Sequence, residues 1–283
     1  MAGTQETTAR AEWDAMNPAS KANLLRVVRE EAEQMLDLAA VPENWEKGTP
    51  CGHWQVQDII GHMVDVTEGY LNAFRIAREG GEAPPPIGLL TMAKRLDENA
   101  QAFRSVPQAE LIQRLSADFE QMMAIFEGLS DEEWTGLMVS HPFMGPVPAF
   151  FYPTFHLVDY GVHGWDVREA LGLPNGLSGD VADLLAPIMF ILWQATTVPD
   201  RVDAEPIRAG VRVSGRNAGM WRVTVTADGY TYEPMAGDGA DLPVVFDFDP
   251  GSLVLTAYGR IHGGTAYGDA AIANKYRTLF HSI

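Results

Sequence analysis

Asp159 and His163 stand four residues apart in a stretch whose pattern predicts a helix. An α-helix places residues at this spacing on the same face, one turn apart. A carboxylate and an imidazole are both ligands for zinc and similar divalent ions. A third ligand from another element would complete a site with open coordination positions, which is the arrangement of metal sites that carry out chemistry.

The second predicted helix supplies a candidate third ligand, His62. If the two helices are neighbours in a bundle, two imidazoles and one carboxylate meet across its core and leave two or three positions for water or substrate. Ligating histidines need acceptors for their second ring nitrogen, and Asp58, Asp65 and Asp166 are at suitable offsets. His156 is predicted to be a neighbour rather than a ligand. A metal-free pair on an exposed helix face remains the alternative.

The remaining reactive side chains suggest no second site. Cys51 is the only cysteine, so an intramolecular disulfide is excluded. Cys51 lies in a predicted loop, and no base can be assigned beside it. We interpret it as a small packing residue and leave its role open. Any thiol chemistry would therefore use either Cys51 or a thiol brought in as cosubstrate, and the external thiol is the more natural nucleophile. Four further histidines have no partners at informative spacing and are predicted to be loop or surface residues: His53, His141, His262 and His281.

The composition excludes some classes of partner. The chain has 283 residues, 46% of them hydrophobic, and a formal net charge of −18 from 38 acidic and 20 basic side chains. Nucleic acids and anionic membranes are bound by clustered Lys and Arg, so neither is an expected partner. No apolar run has the length of a membrane span. A single cysteine and a polar N-terminus predict a cytoplasmic protein.

The periodicity changes along the chain and predicts an α+β protein. Apolar residues recur at three- and four-residue steps up to about residue 198, whereas alternating β-branched and aromatic residues follow. We therefore predict a flexible tail over 1–17, a helical metal-binding domain over 18–200 and a small α+β domain over 201–283. The helices are expected at about 20–40, 56–79, 89–103, 109–126, 153–171 and 181–196, with two short ones at 250–258 and 269–280. The segment 137–148 is expected to be irregular.

Two stretches resemble the signatures of a known family. One is Trp54-Gln-Val-Gln-Asp58-Ile-Ile-Gly-His62, and the other is Asp159-Tyr-Gly-Val-His163-Gly-Trp-Asp166. Together they resemble the mycothiol-dependent maleylpyruvate isomerase family. The resemblance implies a DinB-like four-helix bundle with extra helices, followed by a small sterol carrier protein-like α+β domain, which the C-terminal segment 248–270 also resembles.

The resemblance also implies chemistry. It implies a divalent metal, usually zinc, held by His62, Asp159 and His163, although the family commonly has glutamate where this chain has Asp159. It further implies mycothiol or a related small thiol as cosubstrate. Arg260 matches a family arginine and is the candidate catalytic cation. Arg168 lies off the metal face and is expected to pair with a surface carboxylate.

The function predicted from the sequence is a thiol-dependent metalloenzyme that catalyses isomerisation or S-transfer. Its partners would be a small-molecule substrate and a small thiol, and the protein would be a monomer or a small homo-oligomer. Two alternatives stay open: a biosynthetic enzyme acting on a bulky substrate without metal chemistry, and a non-catalytic binding or regulatory module. In the biosynthetic alternative, the predicted loop 80–87 would shape the pocket together with an aromatic cluster, most of whose members are expected in the core: Phe143, Phe150, Phe151, Tyr152 and Phe155.

Overall fold

A computed structural model describes residues 10–281 of the chain, and residues 1–9, 282 and 283 lie outside the described part. The described residues form two compact units. One consists of residues 16–177, and the other of residues 178–281 together with residues 10–15. Within the described chain, no helix has the length and apolar character needed to cross a membrane.

The first unit is built from helices, as expected. Four long helices form a bundle, with a shorter helix packed on the second of them and a single-turn helix near the end. These helices are α1 (Lys21–Ala39), α2 (Val56–Glu79), α3 (Leu89–Ala102), α4 (Gln108–Gly128), α5 (Asp131–Gly136) and α6 (Phe151–Ala170). The prediction of an α+β protein with a helical N-terminal domain is confirmed.

Helix α2 begins with a reciprocal cap. The backbone N–H of Gln55 donates to Asp58 Oδ2 at 2.8 Å, and the Gln55 side chain accepts from the third residue of the helix. Asp58 also accepts two hydrogen bonds of 2.7 Å from Arg104, which fixes the start of α2 against the chain after α3. Gly61 allows a close approach here, since a Cβ atom at this position would lie 2.7 Å from the carbonyl oxygen of Ala100.

Helix α6 is the most enclosed of the long helices. Thirteen of its 20 residues are buried, and they occur on every side of the helix. Pro153 lies in its first turn, where a missing N–H leaves no broken hydrogen bond. Gly172, with φ of 64°, follows its end. Helices α1 and α2 both pack against α6, the helix that carries Asp159 and His163.

A β-hairpin precedes α6 in the segment that was predicted to be irregular. Strands β1 (Met138–His141) and β2 (Gly145–Pro148) pair antiparallel, with Val139 opposite Val147. The loop after α2 is attached to the hairpin turn, since the N–H of Ile87 donates to the carbonyl of Pro142 at 2.7 Å. The hairpin and this loop therefore form one end of the first unit.

The second unit is an α+β structure. It contains helices α7 (Gly179–Leu185), α8 (Met189–Thr196), α9 (Pro250–Ala257) and α10 (Ala270–Arg277). Its strands are β3 (Ile207–Val213), β4 (Gly219–Thr226), β5 (Gly229–Pro234), β6 (Val244–Phe248) and β7 (Thr265–Gly268). The strands form one sheet in the order β5-β4-β3-β6-β7, in which only the β3–β6 pair is parallel. Trp193 of α8 lies in an aromatic core with Tyr230, Phe248 and Tyr276.

The units divide the chain differently from the predicted domains. The helix expected at 181–196 is divided near Pro187 into α7 and α8. Both helices pack on α9 within the second unit. The boundary between the units therefore lies at 177/178, whereas the predicted domain boundary is at 200/201. The described part of the predicted flexible tail is anchored to the same unit. The N–H of Ala15 donates to the Leu184 carbonyl at 3.1 Å, and the guanidinium of Arg216 lies 3.8 Å from the Trp13 ring centroid.

Candidate metal centre

The structure brings His62, Asp159 and His163 together. One ligand atom of each residue lies within 4.8 Å of the other two. The distance from His62 Nε2 to Asp159 Oδ1 is 3.7 Å, and the two imidazole centroids are 5.1 Å apart. The two histidines are 4% and 8% exposed, so the cluster is largely shielded from bulk water.

The arrangement fits a divalent ion of the size of zinc. Nitrogen and oxygen ligands lie about 2.0–2.2 Å from zinc, so two donors sharing one ion can be at most about 4.3 Å apart and are about 3.4 Å apart in a tetrahedron. The 3.7 Å separation between His62 and Asp159 meets this condition. Asp159 therefore lies at a distance from His62 that one shared ion allows, although its side chain is one methylene shorter than that of glutamate.

Asp166 fixes the orientation of His163. The Nδ1 atom of His163 lies 3.0 Å from Asp166 Oδ2, and Asp166 has no exposed surface. A carboxylate only accepts hydrogen bonds, so Nδ1 must carry the hydrogen. The lone pair of Nε2 is then available for a metal, as in carboxylate–histidine–metal arrangements.

The other two predicted acceptors are engaged elsewhere, which corrects that expectation. Asp58 binds Arg104 and caps α2, and Asp65 accepts hydrogen bonds from Asn99 at 3.0 and 3.1 Å. Asn99 of α3 and Arg104, which follows α3, thus bind the two carboxylates that were expected to accept from a ligating histidine. The Nδ1 atom of His62 is buried and has no hydrogen-bond partner among the described residues.

Trp54 packs against both candidate histidines. Its ring centroid lies 5.2 Å from that of His62 and 5.8 Å from that of His163. Its Nε1 donates to Asp97 at 2.7 Å, which holds the indole in place. The tryptophan of the first motif thus packs against both imidazoles and restricts their positions.

The electrostatics of the cluster favour an ionised carboxylate. Burial disfavours the charged form of Asp159, but the hydrogen bond and the charge of His62, with the charges of His163 and His156, lower its pKa below the ordinary value. An anionic Asp159 is the form that binds a cation.

Two other histidines lie near this carboxylate. Burial lowers the pKa of His156 to about 4, although the charge of Asp159 opposes the shift. Both ring nitrogens of His156 are buried without a hydrogen-bond partner among the described residues, in agreement with its prediction as a neighbour. His141, expected in a loop or on the surface, is instead buried in β1, and burial lowers its pKa to about 4 against the charge of Asp159.

Cys51 was missed as a site residue. Its thiol belongs to a second group, with His163 and Asp166, in which one ligand atom of each lies within 4.8 Å of the others. No base was expected beside Cys51, but the fold places an imidazole near it. The loop before α2 has no regular period, so no spacing rule could have brought residue 51 to α6.

The structure also corrects one of the two arginine interpretations. Arg168 pairs with a carboxylate, Glu31, at 3.6 Å, but both side chains are largely buried between α6 and α1 rather than at the surface. Arg260 follows α9 in the second unit, where its Nη1 donates to the carbonyl of Tyr258 at 3.0 Å. Its catalytic role stays a prediction.

Comparison with known proteins identifies the family. The family model described as "Mycothiol maleylpyruvate isomerase N-terminal domain" matches residues 28–168, a range that contains all three candidate ligands. The chain belongs to this family. No curated protein matches the sequence.

Solved structures agree with the family assignment at the level of the fold. The crystal structures of the mycothiol-dependent maleylpyruvate isomerase and of a mutant of it both match with a TM-score of 0.58 and 15% identity. Each match covers 88% of this chain and 94% of the other, so the likeness extends over both units. At this identity it shows the shared fold of the maleylpyruvate isomerase family.

Proposed function

We propose that this protein is a metal-dependent enzyme that uses mycothiol or a related small thiol to isomerise an activated double bond. The observation that carries the proposal is the convergence of His62, Asp159 and His163, whose ligand atoms lie within 4.8 Å of one another. The family match to residues 28–168 supports the same function, because the relative of known structure is named a mycothiol-dependent maleylpyruvate isomerase.

Each residue of the site has a defined task. His62, Asp159 and His163 would hold the ion, and the anionic form of Asp159 would balance part of its charge. Asp166 keeps the hydrogen of His163 on Nδ1 and so leaves Nε2 as the ligand atom. When bound, a divalent ion lowers the pKa of a coordinated thiol, whose free value is about 8.5, and so supplies a thiolate at neutral pH.

The enclosure of the site contributes to the chemistry. Trp54 covers the two imidazoles, and His62 and His163 are more than nine-tenths buried. A low-dielectric surrounding strengthens the interaction of fixed dipoles with charge that develops on the substrate. A thiol added to a cis double bond permits rotation about the resulting single bond, and its elimination returns the trans isomer together with the free thiol.

The proposal is tested by metal content and thiol-dependent turnover measured together. The wild-type protein is expected to bind one zinc or cobalt ion and to convert maleylpyruvate only when mycothiol is present. His163→Ala is expected to lose both the ion and the turnover. His53→Ala is the matched control, because His53 has 64% of its side chain exposed and is outside the candidate cluster.

The possible outcomes separate the proposed function from its alternatives. Full turnover by metal-free His163→Ala would refute a metal-dependent reaction. A product that retains the sulfur would show S-transfer instead of isomerisation, since elimination would then have failed to follow addition. Stoichiometric metal with no thiol binding would favour a non-catalytic module.

A further inference from the structure

The β1–β2 hairpin brings a histidine to the N-terminal part of α6, which precedes the candidate ligands on that helix. His141 is the last residue of β1, and its ring centroid lies 4.6 Å from that of Phe155. Phe155 precedes Asp159 by four residues on α6, one turn or about 6 Å along the helix axis. The same ring lies 6.2 Å from Tyr70, which follows His62 by eight residues on α2. His141 thus lies between α2 and α6, about one helical turn from Asp159 and about two turns from His62 and His163 along their helices.

The hairpin turn fixes the tautomer of this histidine. The backbone N–H groups of Phe143 and Met144 both donate to His141 Nδ1, each at 3.2 Å. An atom that accepts two hydrogen bonds carries no hydrogen, so the ring hydrogen is on Nε2. The lowered pKa of His141, about 4 because of burial, agrees with a neutral ring at physiological pH. His141 therefore offers a single N–H donor with a fixed orientation.

The surroundings of this donor are apolar on one side and polar on the other. Phe155 and Phe143 are half-buried, and Gly145 of the turn approaches Pro86 of the loop after α2. Asp159 follows Phe155 by one turn of α6, so this carboxylate is on the same helix face as the ring that His141 contacts. A ligand between the hairpin and the candidate metal centre would therefore meet an aromatic side chain, one neutral N–H donor and the ion that His62, Asp159 and His163 would hold.

We propose that His141 is a specificity-determining residue that donates a hydrogen bond from Nε2 to a carbonyl or carboxylate oxygen of the electrophilic substrate. The inference rests on the proposed function, because it takes the metal-bound thiol as the reaction partner of that substrate. An unsaturated acid or ketone fits this arrangement, since its acceptor oxygen would meet the donor while its double bond faces the sulfur. A neutral donor also suits the site, because a protonated imidazole would repel the ion.

Two variants separate the donor from the structure of the turn. In His141→Asn, the side-chain oxygen can occupy the position of Nδ1 and accept from the turn, but the distal N–H is lost. In His141→Gln, the longer side chain can place an amide N–H near the position of Nε2. Cobalt affinity is measured first by competition with a chelator, and the binding of maleate to the cobalt-loaded protein is then measured by calorimetry without any thiol.

The expected result is equal cobalt affinity in all three proteins. Maleate binding by His141→Asn should be weaker by roughly 10- to 100-fold, which corresponds to the loss of one hydrogen bond to a charged acceptor. His141→Gln should stay within about threefold of the wild type, because it keeps a donor. Wild-type maleate affinity in His141→Asn would overturn the inference, and so would equal weakening in both variants. Failure of the wild type to bind cobalt would instead refute the proposed function.

Discussion

Replacing Asp166 tests whether the buried carboxylate tunes His163 for metal binding. Asp166 has no exposed surface and lies 3.0 Å from His163 Nδ1. In Asp166→Asn the amide oxygen can still accept from Nδ1, so the ring keeps its orientation but loses the adjacent negative charge. In Asp166→Ala the acceptor is lost as well, and the buried N–H is left without this partner.

The expected effects follow from this difference. Removing a group that orients a ligating histidine typically weakens metal binding 10- to 100-fold, or by about 1.4–2.7 kcal/mol. We place Asp166→Asn near the lower value, about tenfold, because its hydrogen bond survives. We place Asp166→Ala near the upper value, about 100-fold, because both the charge and the acceptor are removed.

The assay is a zinc titration in competition with a chelator of known affinity, and calorimetry measures the heat of binding. Asp65→Asn is the matched control, since Asp65 is also an aspartate on a metal-binding helix but hydrogen-bonds Asn99 rather than a candidate ligand. Its zinc affinity should equal that of the wild type. Unchanged affinity in both Asp166 variants would refute the reasoning, as would an equally large loss in Asp65→Asn.

Three further predictions concern other parts of the protein. Because the pKa of His156 is lowered to about 4, the unfolded chain binds more protons than the native protein as pH falls below about 6.5, so stability is lost. Between pH 7 and pH 5, the free energy of unfolding should therefore fall by about 2 kcal/mol less in His156→Phe than in the wild type, as measured by urea titration. An equal fall in both proteins would contradict this. Cys51→Ser should retain thiol-dependent turnover within about threefold, because the proposed nucleophile is an external thiol, whereas a loss of about 100-fold would identify Cys51 as the nucleophile. Arg260→Ala should lower kcat about 100-fold with zinc affinity unchanged, and an unaltered kcat would remove Arg260 from the catalytic residues.

The parts of the site that lie on helices could be predicted from the sequence. Helix α2 begins and ends where its apolar period predicts, at Val56 and Glu79. The spacing of Asp159 and His163 is local to one helix, and so is the i,i+3 contact between His163 and Asp166. A helical period fixes the relative directions of such side chains before any tertiary contact is known. The location of the candidate metal centre therefore followed from helix geometry and from the assumption that α2 and α6 are neighbours.

The parts that depend on loops could not be predicted. The strands of the hairpin have four residues each, and Pro146 and Pro148 obscure their alternation, so His141 was assigned to the surface. The path of the chain before α2 brings Cys51 to His163, which no local pattern encodes. Asp65 was wrongly predicted as a partner of a metal ligand because the position of α3, which supplies Asn99, was unknown.

The close approach at Gly61 limits how this site can vary among related sequences. Any side chain at residue 61 would meet the Ala100 carbonyl at 2.7 Å and Phe103 at 3.0 Å, so larger residues would push α2 away from α3. His62 is the next residue, and a shift of α2 would change the position of its imidazole relative to Asp159. Glycine should therefore persist at this position in relatives that keep the metal, whereas the hairpin can diverge freely. Substrate range can then evolve at one end of the bundle without loss of metal binding.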